Sequence, residues 1–206
     1  MTLAPQSTIA DAQASFKPWV VPARALSVFY GCSQMPRLSH YFLPRVLLKE
    51  QRVLYLDGAN RIDPLLIARL AKQHGREAAT FNRLIRVSRA FTCFQLTELI
   101  ERVPRFLERF PASVVIVTAL PDLYFDEDVR DREARASFQR ALEGLVGLAQ
   151  QAISVAVFSD ATSFQTSRRD CFQQLIQQAN QIVRVEAQAG NRIAFTCEQS
   201  RPLLPL

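Results

Sequence analysis

Short apolar runs recur along the chain at spacings that leave room for a helix between them, and this limits the fold more than any other feature. ALSVFY (25–30), RVLYLD (52–57), LIRV (84–87), ASVVIVTAL (112–120) and ISVAVFS (153–159) are the runs. A segment that is apolar on both of its faces suits a strand covered on both sides, as in a parallel sheet. The stretches between them carry the helical period. Asp63 and Pro64 supply an N-cap and a first-turn proline for a helix that Gly75 closes. Thr92 opens a long helix with Leu96, Leu99, Ile100, Val103, Leu107 and Phe110 on one face, despite Pro104. Leu38–Leu48 is helical with Pro44 expected to kink or shorten it. Phe138, Leu142, Leu145, Val146 and Ala149 mark another helix, and Cys171–Ala179 the last. Two strands, 181–186 and 192–197, flank the turn pair Gly190 and Asn191. The pattern predicts an α/β fold: a mostly parallel sheet with helices on both faces and a C-terminal antiparallel hairpin.

The 206 residues, 49% of them hydrophobic, provide one core domain over 25–200, with an arm or linker over 1–24 and a tail over 201–206. No apolar run reaches the roughly 20 residues of a membrane helix, and residues 1–24 lack a signal-peptide pattern. The expectation is a soluble, cytoplasmic protein without a membrane partner. The net charge is +6, and the only lysines are Lys17, Lys49 and Lys72, so the cations are almost all arginines. Such a field favours polyanionic partners. Cys32, Cys93, Cys171 and Cys197 lie far apart, and with only His40 and His74 besides they form no zinc spacing. Buried free thiols and no metal are expected. No nucleophile motif or paired carboxylate suggests an enzyme, and the strand-end residues Asp57 and Asp160 are read as turn caps.

The sequence from Ala25 to His40, ALSVFYGCSQMPRLSH, runs from a strand through Gly31 into a helix, which is where a P-loop protein cradles phosphate. A working cradle reads G-x-x-x-x-G-K-[ST], with backbone N–H groups and the Lys on the phosphates and the hydroxyl on magnesium. Here Gly31 keeps the first position, but Pro36, Arg37 and Leu38 replace the Gly, Lys and Ser/Thr. Proline has no N–H to donate and leucine cannot bind a metal.

Further segments extend that likeness. VSRAFTCFQL (87–96), RVLYLDGANRIDPLLIARLAKQHG (52–75), Ala112–Phe125 with its Leu123–Tyr124 pair, and Ile153–Asp160 together resemble, in order and spacing, the ATPase core of the RecA and Rad51 recombinases. The resemblance covers roughly 26–197 and implies a RecA-like sheet. It implies as well that Thr118 stands where the family has its magnesium-holding Asp. Gly58, Ala59 and Asn60 stand where the catalytic Glu is expected. With phosphate, metal and water positions all altered, little or no ATP hydrolysis and no cofactor are expected, weak nucleotide binding through Arg37 staying open. The implied role is a non-catalytic accessory or regulatory factor in DNA recombination or repair. The alternative is a protein-interaction regulator that binds neither ATP nor DNA. The family's DNA-facing loops correspond to 125–135, whose arginines are read as paired surface charges, and to 160–170. The second loop offers Phe164, Arg168 and Arg169 for single-stranded DNA. Phe16 or Trp19 in the arm would dock onto a second copy or a recombination or repair protein.

Overall fold

The computed structural model describes residues 21–31, 35–188 and 192–200. Its core is a seven-stranded sheet. The strands are β1 (Leu26–Gly31), β2 (Val53–Asp57), β3 (Ile85–Arg89), β4 (Val114–Thr118), β5 (Ser154–Ser159), β6 (Gln181–Gln188) and β7 (Arg192–Ser200). They lie in the order β3-β2-β4-β5-β1-β6-β7, all parallel except β7, which runs antiparallel to β6. The α/β class, the mostly parallel sheet and the terminal antiparallel pair are as the sequence predicts. Gly190 and Asn191, the expected turn, lie outside the described residues.

Among the described residues six α-helices cover the sheet: α1 (Met35–Leu47), α2 (Pro64–Gln73), α3 (Ala78–Arg83), α4 (Cys93–Arg109), α5 (Asp131–Gln150) and α6 (Arg169–Gln178). The two-residue alternation of the strands divides their side chains between two cores. Leu54, Leu56, Val115, Val117, Val155 and Val157 pack with α4, α5 and α6. Val53, Tyr55, Val114, Ile116, Ala156 and Phe158 pack with α1, α2 and α3. Each central run is apolar throughout because successive residues enter opposite cores.

The helix signals act as read. Asp63 caps α2 by accepting the Leu66 N–H at 2.9 Å, and Thr92 caps α4 by accepting the Gln95 N–H at 3.2 Å. Pro44 and Pro104 sit inside α1 and α4 without ending either. The short helix α3 has no counterpart in the sequence reading. Residues 131–135, read as loop, are the first turns of α5, with their charges outward and Ala134 buried. Among the described residues no helix is long and apolar enough to cross a membrane.

Candidate functional site

At the carboxyl ends of β1, β2, β4 and β5 the chain leaves a cleft of about 850 Å³. Strand order places it there: β1 connects across β5 and β4 to β2, while β5 connects over β1 to β6. Diverging connections of this kind open the crevice in which parallel sheets bind ligands. Pro36 and Arg37 of α1, Arg61 and Asp63 after β2, Asp122 and Asp126 after β4, and Asp160 and Phe164 after β5 all face it.

The floor of the cleft is hydrogen-bonded to itself. Asp57 is fully buried at the end of β2. Its Oδ1 accepts from the Arg61 N–H (3.1 Å) and the Thr118 hydroxyl (3.2 Å), and its Oδ2 from the Ile62 N–H (3.0 Å). Thr118 in turn accepts the Ala59 N–H at 3.2 Å. The carboxylate therefore caps the turn after β2 and ties it to β4, the turn-cap role expected of it. Thr118, at the position the resemblance gives to a metal-holding Asp, uses its hydroxyl in the same turn. The turns are strained as well, with Asn60 and Ala119 left-handed at φ 53° and 60°.

The entry to α1 is closed by a different set of contacts. Gly31 has φ +137°, and a Cβ there would lie 2.1 Å from the Val185 carbonyl oxygen of β6. The close approach of two strands accounts for this glycine without any phosphate. Pro36 and Leu38 are buried, and Arg37 between them is exposed. The Met35 N–H, at the start of α1, donates to Asp160 Oδ1 at 3.3 Å. A helix N-terminus attracts anions, and here the protein supplies its own. One turn on, His40 Nε2 accepts the Asp63 N–H at 2.9 Å, so Nδ1 carries the hydrogen toward the Arg37 carbonyl at 3.0 Å. Burial holds this imidazole below its ordinary pKa, in keeping with the neutral ring that the two contacts require.

Four carboxylates, Asp63, Asp122, Asp126 and Asp160, oppose two arginines, Arg37 and Arg61, around the cleft. Asp122 accepts from the Ser159 hydroxyl (2.7 Å) and the Asp160 N–H (2.8 Å), yet burial pushes it up to about 6. Asp160 is raised for the same reason. A triphosphate entering here would meet net negative charge.

The loop residues expected to face nucleic acid divide sharply. Arg168 is 5% exposed. Its Nε donates to Asp131 (2.7 Å), its Nη1 to the carbonyls of Tyr124 and Asp126 (2.8 Å each), and its Nη2 to the Val129 carbonyl. It fastens the loop after β5 to the loop after β4, with four of its N–H groups spent on that contact. Phe164 is exposed against Phe125, edge to face at 5.8 Å, and Arg169 is exposed. In the first loop, Arg135 pairs with Asp170. Phe16 and Trp19 lie outside the described residues, as does Cys32. Cys93 and Cys171 are free and buried, and Cys197 is free and half-buried. Among the described residues no three His, Cys, Asp or Glu side chains are grouped to hold a metal. No protein-family model matches the chain, and no curated protein matches it.

Proposed function

We propose that this chain is a RecA-like module that works without ATP hydrolysis, as an accessory or regulatory factor in DNA recombination or repair. It acts through contact with a recombination or repair protein or a second copy of itself. The likeness of the quoted segments to the RecA and Rad51 core supports the pathway. The site where β1 enters α1 supports the loss of catalysis: a carboxylate takes the helix N-terminus, the Thr118 hydroxyl is committed to a turn, and the cleft is acidic. Phosphoryl transfer needs phosphate, metal and water held together, and among the described residues the start of α1 and the Thr118 hydroxyl are already engaged by Asp160 and Asp57.

Protein contact is supported by exposed apolar side chains on and after the edge strand β3 and on α2. Phe91 is 68% exposed and Leu65 75%, with Val87 and Phe94 also exposed. The same observation supports the second reading, an interaction regulator that binds neither ATP nor DNA. Calorimetry with ATP and magnesium, run beside a phosphate-release assay, tests the first step. No saturable heat and no turnover above the protein-free rate are expected. Turnover that disappears in Arg37→Ala would overturn the reading.

A further inference from the structure

The edge of the sheet opposite the cleft carries the contrary charge. Arg52 stands immediately before β2. The Val53 N–H donates to the Leu84 carbonyl (2.8 Å) and the Ser113 N–H to the Arg52 carbonyl (3.2 Å), which sets Arg52 between the starts of β3 and β4. Arg86 is the second residue of β3. Both guanidiniums lie over the ring of Phe110, their central carbons 5.4 and 5.3 Å from its centroid. Phe110 is itself fixed at the end of α4, where its N–H donates to the Phe106 carbonyl at 2.8 Å.

Neither arginine has an ion pair among the described residues. Two guanidiniums sharing one ring are held about a Debye length apart or closer, roughly 10 Å at 0.1 M salt, with no carboxylate paired to either among the described residues. The surrounding helix ends and turns add Lys49, Arg83 and Arg109 against Glu50, Glu77 and Glu108. Basic residues in the last turn of a helix answer the helix dipole, which accounts for Arg83 and Arg109. It does not account for Arg52 and Arg86, which belong to no helix.

We propose that this amino-terminal edge, at the β3-β2-β4 end of the sheet, is a nucleic-acid-binding surface in which Arg52 and Arg86 receive backbone phosphates and Phe110 holds them in place. An arginine already packed on a ring loses less conformational freedom when it binds, and its planar guanidinium is a face on which an unpaired base stacks. That favours single-stranded nucleic acid over an acidic protein. The site lies at the opposite edge of the sheet from the loops at which the recombinase likeness locates DNA. It rests on the two guanidiniums and the ring beneath them and is independent of the ATP reading.

The test is fluorescence anisotropy of a labelled oligothymidylate at 50 and 200 mM salt. The wild-type protein is compared with Arg52→Gln/Arg86→Gln, with Phe110→Leu, and with Phe164→Ala/Arg169→Ala at the other edge, each checked for an unchanged circular dichroism spectrum. The wild type is expected to bind at 50 mM and weaken at 200 mM salt. The double arginine variant should weaken binding by about tenfold at 50 mM and reduce the salt slope by about 0.7 per arginine. Phe110→Leu should fall between, and the variant at the far edge should bind as the wild type does. Absence of wild-type binding at 50 mM salt, loss on Phe164→Ala/Arg169→Ala instead, or equal displacement by polyglutamate of matched charge would each overturn the proposal.

Discussion

Arg168 and Arg86 belong to opposite edges of one sheet and are held in opposite ways. Arg168 is buried, with three backbone carbonyls and a carboxylate around its guanidinium. Arg86 is exposed, with an aromatic ring beneath it and no anion beside it. The difference follows from what converges on each edge. Irregular turns meet at the carboxyl edge, and their carbonyls need donors once they are covered. Strand starts and helix ends meet at the amino edge, where short backbone bonds such as Gly75 N–H to the Lys72 carbonyl and Leu84 N–H to the Phe81 carbonyl close the turns without an arginine. Arg168 completes the fold at the first edge; at the second, Arg86 has no ion pair among the described residues.

The largest test of that contrast is Arg168→Ala. It leaves several covered carbonyls and Asp131 without their donor and should cost about 3 kcal/mol in urea denaturation. Arg168→Lys should recover less than half of the loss, since an ammonium cannot reach carbonyls in several directions at once. Next comes Gly31→Ala, which drives a methyl against the Val185 carbonyl of β6 and should cost about 2 kcal/mol by the same assay.

The third test concerns pH. Asp122, raised to about 6, is favoured in its neutral form by folding, so its contribution is present in acid and lost as pH rises through about 6. His40, held below 6.5, contributes when neutral and loses that contribution as pH falls. The two oppose each other between pH 5 and 7. Asp122→Asn should therefore lose stability more steeply than the wild type on going from pH 7 to pH 5, read as the shift in urea midpoint. An unchanged shift would remove Asp122 from the balance. Smallest of all, Arg52→Gln or Arg86→Gln should change stability by less than about 1 kcal/mol, the size of an exposed cation–π contact. A larger loss would mean that the amino edge, too, uses its arginines to fold.

The fold was legible wherever a run was apolar on both faces or a helix kept one apolar stripe. RVLYLD and ISVAVFS read as covered strands, and α4 declared itself through Thr92 and about four turns of apolar period from Leu96 to Phe110. α3 did not, because AATFNR spans six residues and buries one large side chain, Phe81, too little for any period to register. The site was legible only in its outline. Asp57 and Asp160 stood out as strand-end carboxylates, but their hydrogen-bond partners Thr118 and Met35 are 61 and 125 residues away. No local pattern reports such distances. Arg168 and Arg169 are adjacent and chemically identical in the sequence, and only the carbonyls of Tyr124, Asp126 and Val129 tell them apart. The trio of Arg52, Arg86 and Phe110 was likewise hidden, since it joins three elements that meet only when β3, β2 and β4 are laid side by side.

The carboxylate of Asp160 at the start of α1 has a consequence for how this molecule answers its surroundings. A helix that waits for a ligand at its N-terminus gains stability by mass action, in proportion to the logarithm of ligand concentration over the dissociation constant. Here the cap is covalently part of the chain and its effective concentration is constant. What the Asp160 contact gives to α1 is therefore independent of the level of phosphate or nucleotide, and varies instead with the protonation of that one carboxylate.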